Sequence, residues 1–255
     1  MFREDYQEKK SQKELSETFS LYLTKQQLIQ SYPEELIPVR TQIVDWLIFL
    51  CHNLSFKTET LFRAISIFDL YISRQNSSIS FYEVKLVAIA SLSISTKIEE
   101  INCNFVQFLT DNVLNGGNQQ IYTTSELTKK EIEILKTLNF NTNQSTSYQF
   151  LTIFHQICFN LLSEQPQTMN YILNMSENYL LLIIKGENSM SISPCEMAML
   201  AINQTLFQLA YTFPNEKNRI IYCAISQVRS IAKNYYAKNT EENEMSNNNY
   251  FQAVC

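Results

Sequence analysis

Apolar residues recur along most of this chain at the three- and four-residue spacing that is typical of amphipathic helices. The densest stretch runs from residue 80 to residue 100 and has apolar or small side chains around most of a helix circumference. Such a helix is surrounded by others, because no face of it is suited to water. Ser80 and Glu83 predict a capping box at its start. Since residues 97–100 (KIEE) are mostly charged, we predict a buried central helix with an exposed functional tip.

The same periodicity predicts helices on both sides of this central helix. A short amphipathic helix carries Leu15 and Phe19 after a polar segment at 1–13. Pro38 suits the first turn of the next helix, and Thr58 is the expected N-cap of the one after it. Further helical patterns follow at 102–114, 125–139, 148–162, 168–184, 195–213 and 217–238.

A short internal repeat indicates two copies of one helical domain. Residues 83–89 (EVKLVAI) align with residues 196–202 (EMAMLAI), and each segment follows a serine that is placed to cap a helix. The second copy has AYTF at 210–213 where the first has KIEE, so we expect the fold not to need the charged tip. The predicted division is an N-terminal segment, two helical domains and a disordered tail, at 1–36, 37–143, 144–238 and 239–255.

Composition favours an all-α fold and argues against several classes of protein. Three glycines and five prolines in 255 residues are too few for a sheet-rich protein with many tight turns. A net charge of −5 without a long basic run disfavours nucleic acid as the main partner. The six cysteines form no close pair, which argues against a zinc site and a disulfide framework. With no apolar run long enough for a membrane and no signal peptide, we expect a soluble intracellular protein.

The residues that usually carry catalysis are not arranged for it in this sequence. His52 and His155 are the only histidines, and they lack the Glu-x-x-His spacing of a helical di-iron site. No phosphate-binding loop, nucleophile elbow or metal motif occurs. We therefore expect no enzymatic activity, no metal and no cofactor, and a structural role for both histidines.

Five segments, in the same order along the chain, resemble the signature motifs of the cyclin family. They are VRTQIVDWL (39–47), TLFRAISIFDLYIS (60–73), STKIEEI (95–101), KKEIEILKTLNF (129–140) and STSYQFLTIF (145–154). Their spacing resembles that of cyclins from about residue 37 to residue 155, apart from a short insertion near 75–78. The second half is similar only in pattern. The resemblance implies two tandem cyclin-box helical domains, the second of them divergent.

The resemblance also implies a function and a binding surface. Cyclins are non-catalytic subunits that bind and activate cyclin-dependent serine/threonine kinases as heterodimers, which implies a role in the cell cycle in the nucleus, the cytoplasm or both. In the family, the residues matching Lys97 and Glu131 hydrogen-bond backbone groups of the kinase, and those matching the two acids after Lys97 lie near its activation segment. The implied kinase-binding residues are Lys97, Ile98, Glu99, Glu100, Glu131, Leu135 and Phe140.

Two further sets of residues follow from the same resemblance. Arg40 and Asp69 match a buried ion pair of cyclins, and we assign them to the fold. Many cyclins also capture substrates with the first box helix, so a docking patch is expected at Val39, Gln42, Ile43 and Trp46. Gln42 replaces the usual isoleucine, and Phe49 stands where mitotic-type cyclins have an acid that contacts basic substrate residues. Trp46 is equally compatible with a place in the core.

Plainer interpretations stay open at this point. Lys97 is also the kind of residue that favours a helix C-terminus, and Glu131 is compatible with an ordinary solvated helix charge. A cyclin-like adaptor or transcription-associated domain would share the repeated fold without activating a kinase. Such domains lack the paired lysine and glutamate, and those that hold DNA carry basic faces.

Overall fold

The computed structural model describes residues 9–29, 31–75, 79–101 and 122–212, together with 223, 224, 226–228 and 230. Its α-helices are α1 (Gln12–Lys25), α2 (Ile37–Asn53), α3 (Thr58–Ser73), α4 (Phe81–Glu99), α5 (Thr124–Thr137), α6 (Ser147–Leu162), α7 (Pro166–Lys185) and α8 (Pro194–Thr212). Short 3-10 helices lie at Glu34–Leu36 and Glu187–Ser191. The described residues contain no strand, and the all-α prediction is confirmed. The helix predicted at 102–114 and most of the one predicted at 217–238 lie outside the described residues.

Helix α4 is the centre of the first half, as its sequence predicts. It packs against α2, α3 and α5, and its residues from Leu86 to Thr96 are all buried. Its small residues let the neighbouring helices approach, and Ser95 uses its hydroxyl to donate a 2.9 Å hydrogen bond to the Thr60 carbonyl of α3. The polar side chains of this helix therefore help to hold its neighbours as well as making room for them.

The two central helices, α4 and α8, begin differently. Each is preceded by a serine, and in each a glutamate follows that serine three residues later. At α8 the capping box is complete, since the Glu196 carboxylate accepts the Ser193 N–H at 3.0 Å and the Ser193 hydroxyl accepts the Glu196 N–H at 3.2 Å. At α4, Ser80 accepts the Glu83 N–H at 3.3 Å, but among the described residues the Glu83 carboxylate binds the Lys130 ammonium of α5 instead, at 2.8 Å. The capping box predicted at Ser80 is therefore only half formed.

Helix α8 occupies in the second half the place that α4 occupies in the first. It packs against α6 and α7, and its apolar side chains are buried along most of its length. His155 of α6 lies fully buried nearby, with its Nε2 atom 2.7 Å from the Ser176 hydroxyl of α7. His155 therefore has the predicted structural role, whereas His52 is exposed at the end of α2.

The N-terminal helix α1 is stabilised by aromatic contacts with the second half. Phe19 lies edge-on against Phe150 of α6 with ring centroids 5.6 Å apart, and Tyr22 packs on the same ring at 5.8 Å. The Lys25 carbonyl at the end of α1 accepts a hydrogen bond from the Ser145 N–H at 3.3 Å. Because a helix this short is marginal alone, these contacts explain why it forms.

A buried ion pair joins the two halves of the molecule. Arg40 on α2 is 2% exposed and donates to both carboxylate oxygens of Asp69 on α3, each at 2.7 Å. Its third nitrogen, Nη1, donates to the Ile184 carbonyl near the end of α7 at 2.8 Å. Burial alone would lower the pKa of Arg40, but the charge and hydrogen bonds of Asp69 hold that pKa above its ordinary value. Arg40 is therefore charged, and it is satisfied by groups from both halves.

We predict that Asp69→Asn destabilises the protein by about 3–5 kcal/mol, because it leaves the buried Arg40 charge without a counter-ion. Urea denaturation followed by far-UV circular dichroism measures this change. The matched control is Glu17→Gln in the exposed Lys13–Glu17 pair, where the expected loss is about 0–1 kcal/mol. An Asp69→Asn variant with the native unfolding midpoint would contradict the role given to this pair.

We also predict that the cysteines differ strongly in reactivity. Burial raises the pKa of Cys51 to about 12 and that of Cys158 to about 12, and it also raises the pKa of Cys195. All three thiols are free and buried, whereas Cys223 is free and exposed. Since the thiolate is the reactive form, iodoacetamide at about pH 8 should label Cys223 in the native protein and the other three only after unfolding. Peptide mass spectrometry checks this, and rapid native labelling of Cys158 would contradict the described packing.

Candidate docking surface

Lys97 and Glu131 form an ion pair at the open end of the central helix. Lys97 lies in the last turn of α4, and its Nζ atom is 2.7 Å from each carboxylate oxygen of Glu131 on α5. The glutamate side chain is only 10% exposed, but the lysine side chain is 52% exposed. Glu131 is therefore not an ordinary solvated charge. It is a buried counter-ion that fixes the position of a lysine that faces outward.

Apolar side chains occur near Lys97 and near Glu131 in the sequence, both within the two helices and just beyond their ends. Ile98 is 47% exposed, Phe140 is 67% exposed, and Leu135 is partly buried against the core. The structure adds Ile101, which is 83% exposed, and Ile132, which is 46% exposed. Exposed apolar residues that flank an ion pair between two packed helices are candidates for a surface that binds another protein.

Ile101 and Ile132 are not among the predicted binding residues, although the position of each in the sequence indicates a place beside them. Ile101 is the last residue of the STKIEEI motif, and Ile132 precedes Leu135 by three residues on one side of α5. The docking surface comprises Lys97, Ile98, Ile101, Glu131, Ile132, Leu135 and Phe140.

The backbone at the end of α5 holds Phe140 in an unusual conformation. The Phe140 N–H donates to the Leu135 carbonyl at 2.7 Å and the Asn139 N–H to the Lys136 carbonyl at 3.0 Å, which is a Schellman motif. Asn139 has φ 52° and Phe140 has φ 56°, so two successive residues are left-handed. Asparagine tolerates this conformation, but in a bulky residue it costs about 1–2 kcal/mol. Such strain often occurs at functional positions, and here it accompanies an exposed ring.

Glu100 serves the fold, although it belongs to the charged tip. Its carboxylate accepts a 2.8 Å hydrogen bond from the Lys57 N–H and another from the Thr60 hydroxyl, at the first turn of α3. Lys57 is the N-cap residue of α3 and its side chain makes no capping bond, so the N-cap predicted at Thr58 is wrong by one residue. Glu100 replaces the missing cap from a different helix, and its negative charge suits the positive end of the α3 dipole.

Glu99 is also engaged within the chain. Its carboxylate pairs with Arg63 of α3, and its carbonyl accepts a 2.7 Å hydrogen bond from the Lys57 ammonium. The prediction that the fold does not need the charged tip is therefore wrong for Glu99 and Glu100. Kinase contact by these two acids stays a prediction, whereas Lys97 and Ile98 extend outward without that conflict.

A second, buried lysine lies next to Glu131 in the sequence and has a different role. Lys130 has a side chain only 8% exposed, and its ammonium contacts Glu83 and Glu133, each at 2.8 Å. Burial alone would lower the pKa of Lys130, but hydrogen bonds to those two carboxylates raise it above its ordinary value. Burial, with the Glu133 hydrogen bond, raises the pKa of the neighbouring Tyr71 hydroxyl to about 12. This network fixes α5 against α3 and α4, and so orients Glu131.

The patch predicted on α2 is only partly available at the surface. Ile43 is 2% exposed and belongs to the core, so its inclusion in a docking patch is corrected. Val39 and Trp46 pack partly buried against the core, while Gln42 is exposed. Phe49, one turn beyond Trp46, is 61% exposed. What remains on this face is a narrow row of side chains, and substrate docking there stays a prediction.

Other kinds of site receive no support from the described residues. Within the described ranges, no three side chains of histidine, cysteine, aspartate or glutamate lie together in a way that would hold a metal ion. None of the described helices has both the length and the apolar character needed to cross a membrane.

Comparison with known proteins identifies the family. The sequence model for the N-terminal domain of cyclins matches residues 10–143, which is more than half of the chain. The chain therefore belongs to the cyclin family, as its motifs predicted.

Individual relatives share modest identity over the first half. The chain is 28% identical over 141 residues to "G1/S-specific cyclin-E1" of Gallus gallus, covering 54% of this chain and 32% of that protein. It is 31% identical over 116 residues to "Cyclin-B2-1" of Arabidopsis thaliana, covering 46% of this chain and 25% of that protein. The chain thus spans about a third or less of the length of these relatives.

The fold also matches a solved structure across both halves. A viral cyclin from herpesvirus saimiri superposes with a TM-score of 0.62, covering 86% of this chain and 96% of that one, at 16% identity. Because the superposition covers 86% of this chain, the likeness in fold extends into the second half, where the sequence resembles cyclins only in pattern.

We predict that Glu100→Ala destabilises the protein by about 1–2 kcal/mol, because the first turn of α3 loses its cap. Hydrogen exchange should be faster in the variant at the Lys57 amide, which donates to Glu100. It should also be faster at the Thr60 amide, which donates to the Lys57 carbonyl in the same first turn. Glu17→Ala, which removes an exposed carboxylate of α1, is the control and should leave both amides unchanged. Unchanged exchange at the start of α3 in the Glu100 variant would contradict capping by this residue.

Proposed function

We propose that this chain is a non-catalytic regulatory subunit that binds and activates a cyclin-dependent serine/threonine kinase. The observation that carries the proposal is the Lys97–Glu131 pair, in which a buried carboxylate holds an exposed ammonium beside exposed apolar side chains. The names of relatives, such as "G1/S-specific cyclin-E1" and "G2/mitotic-specific cyclin-A", support a role in the cell cycle.

The geometry of the pair suits recognition of backbone groups. A lysine ammonium has three N–H donors, and its contacts with the two oxygens of Glu131 use two of them. The exposed half of the Lys97 side chain leaves a donor for a carbonyl of the partner. Because Glu131 already fixes the lysine, binding costs less side-chain entropy than it would for a free surface lysine.

The apolar part of the docking surface supplies the area for association. Ile98, Ile101, Ile132 and Phe140 leave apolar surface in water in the free chain, and covering it favours binding. A partner segment that fits would be a helix with an aliphatic face, whose backbone carbonyl at one end accepts from Lys97. In cyclins, the residues that match Ile98, Leu135 and Phe140 form an apolar seat for the mobile helix of the kinase, so we propose that this helix is the segment that binds here.

Activation follows if the partner helix binds in one position only. A kinase needs a glutamate of that helix to pair with the lysine that positions ATP. A docking surface that fits only the inward position of the helix shifts the kinase population by its differential affinity for the two states. To move the active fraction from about 1% to about 99%, this difference must be about 10⁴-fold.

We predict that Lys97→Met combined with Glu131→Gln abolishes kinase binding but leaves the fold intact. Changing both residues avoids leaving a carboxylate buried and unpaired, and both replacements keep the side-chain volume. The tagged chain is used to pull down partners from a eukaryotic lysate, and the bound kinase is identified by mass spectrometry. Circular dichroism and the urea midpoint of the variant should stay near those of the native chain.

The control for this experiment is the exposed pair on α1, changed in the same way to Lys13→Met and Glu17→Gln. This control should retrieve the kinase as the native chain does. Undiminished kinase binding by the Lys97 and Glu131 variant would overturn the proposed surface. Recovery of a complex without any protein kinase by the native chain would instead support the adaptor alternative.

A further inference from the structure

Arg63 is a buried arginine in the first half of α3, among apolar residues that follow a polar first turn. It lies in the sequence TLFRAI, between the buried residues Phe62 and Ala64, and it is only 5% exposed. Burying a guanidinium lowers the stability of a protein unless its charge and donors are paired. The contacts of Arg63 therefore indicate its role. The surface proposed above does not include it.

The contacts of Arg63 reach the two chain segments that carry separate parts of the docking surface. Its Nε atom pairs with the carboxylate of Glu99, which directly follows Ile98 at the end of α4. Its Nη1 atom donates a 2.8 Å hydrogen bond to the carbonyl of Thr142, two residues after Phe140. One rigid, planar group therefore spans the end of α4 and the loop that follows α5.

Both of these segments carry exposed apolar side chains that a partner would have to find in place. Ile98 and Phe140 are 47% and 67% exposed, so packing within the chain restrains them only in part. Beyond α5, the regular hydrogen bonds of the helix have ended and the backbone at Phe140 is left-handed. A cross-link from α3 to Thr142 compensates for this loss of helical restraint.

We infer that Arg63 is a positioning residue for the docking surface: it holds the end of α4 and the loop after Phe140 at a fixed separation so that one partner helix can contact both. This inference rests on the proposed function. A residue of this kind raises affinity by ordering the surface before binding, without touching the partner itself.

A purely stabilising role explains the arrangement less well. Buried ion pairs often contribute little net stability compared with apolar residues of similar size, so a leucine at this place in α3 would serve the core as well. The hydrogen bond to the Thr142 carbonyl joins α3 to a segment outside the helices of the first half. It restrains a loop, and that loop bears Phe140.

The first test measures the loop without any partner. Trp46 is the only tryptophan, so Trp46→Phe with Phe140→Trp places a single indole at the end of the docking surface. We expect Arg63→Leu in this background to lower the fluorescence anisotropy of that indole and to speed amide exchange at residues 139–142. Arg63→Lys should have an intermediate effect, because one ammonium cannot replace a fork that reaches both partners.

The matched control is Arg74→Leu at the C-cap position that directly follows the same helix. Arg74 donates a 2.8 Å hydrogen bond to the carbonyl of Thr137. Thr137 is the last residue of α5, so this bond does not reach the loop that bears Phe140. The control should leave the anisotropy unchanged. If Arg63→Leu does not fold, Arg63→Lys takes its place. A folded Arg63 variant whose indole and amides at 139–142 behave as in the parent would overturn the inference.

The second test uses the kinase recovered with the native chain, with Trp46 and Phe140 restored. Arg63→Leu should weaken binding about tenfold, the effect of ordering one or two interface side chains on association rather than before it. Phe159→Leu, a core change in α6 far from the surface in sequence, should leave affinity unchanged at temperatures where the protein is folded. Native affinity of a folded Arg63→Leu would overturn the inference. Failure to recover any kinase would count against the proposed function instead, while the anisotropy result would still decide the role of Arg63.

Discussion

The burial of α4 on nearly all sides is the constraint on which the rest of the structure depends. Three helices of the first half pack around it, and every residue from Leu86 to Thr96 is buried, so α4 reaches the surface only near its two ends. Its C-terminal end is one of the two places where this helix can offer side chains to a partner. Lys97 and Ile98 occupy its last turn, and Glu131 reaches the same place from the middle of α5. The position of the docking surface thus follows from how the core is packed.

The charges at this end of the molecule are sorted by their partners inside the chain. Glu131 pairs with the Lys97 ammonium, Glu99 pairs with Arg63, and Glu100 caps α3. A stretch that reads as acidic in the sequence therefore presents mainly an ammonium and apolar side chains to the outside. Since a partner meets the surface that remains after internal pairing, counting charges along the sequence gives a misleading picture of what this surface would attract.

Sequence patterns were sufficient for the helices and for the family, because periodicity, caps and motifs are local signals. They were insufficient where a side chain chooses between a local and a distant partner. Glu83 leaves its capping position because Lys130, 47 residues away, is buried and needs a carboxylate. Glu100 caps a helix that lies about 40 residues before it in the chain. Ile43 is assigned to a docking patch by the family resemblance, but it lies on the core side of α2 and is buried.

Two buried arginines illustrate how such distant choices can be recognised. Arg40 and Arg63 are both nearly fully buried, and each donates one bond to a backbone carbonyl outside its ion pair. A lysine or an apolar residue would satisfy the helix that carries each of them, but it would not reach a second segment in a fixed direction. In Arg40 the second segment is the end of α7, so this residue joins the halves. In Arg63 it is the loop after Phe140, so the same chemistry joins the two parts of a surface. A charged residue that interrupts an apolar stripe therefore indicates that two parts of the chain have to be held together at that point.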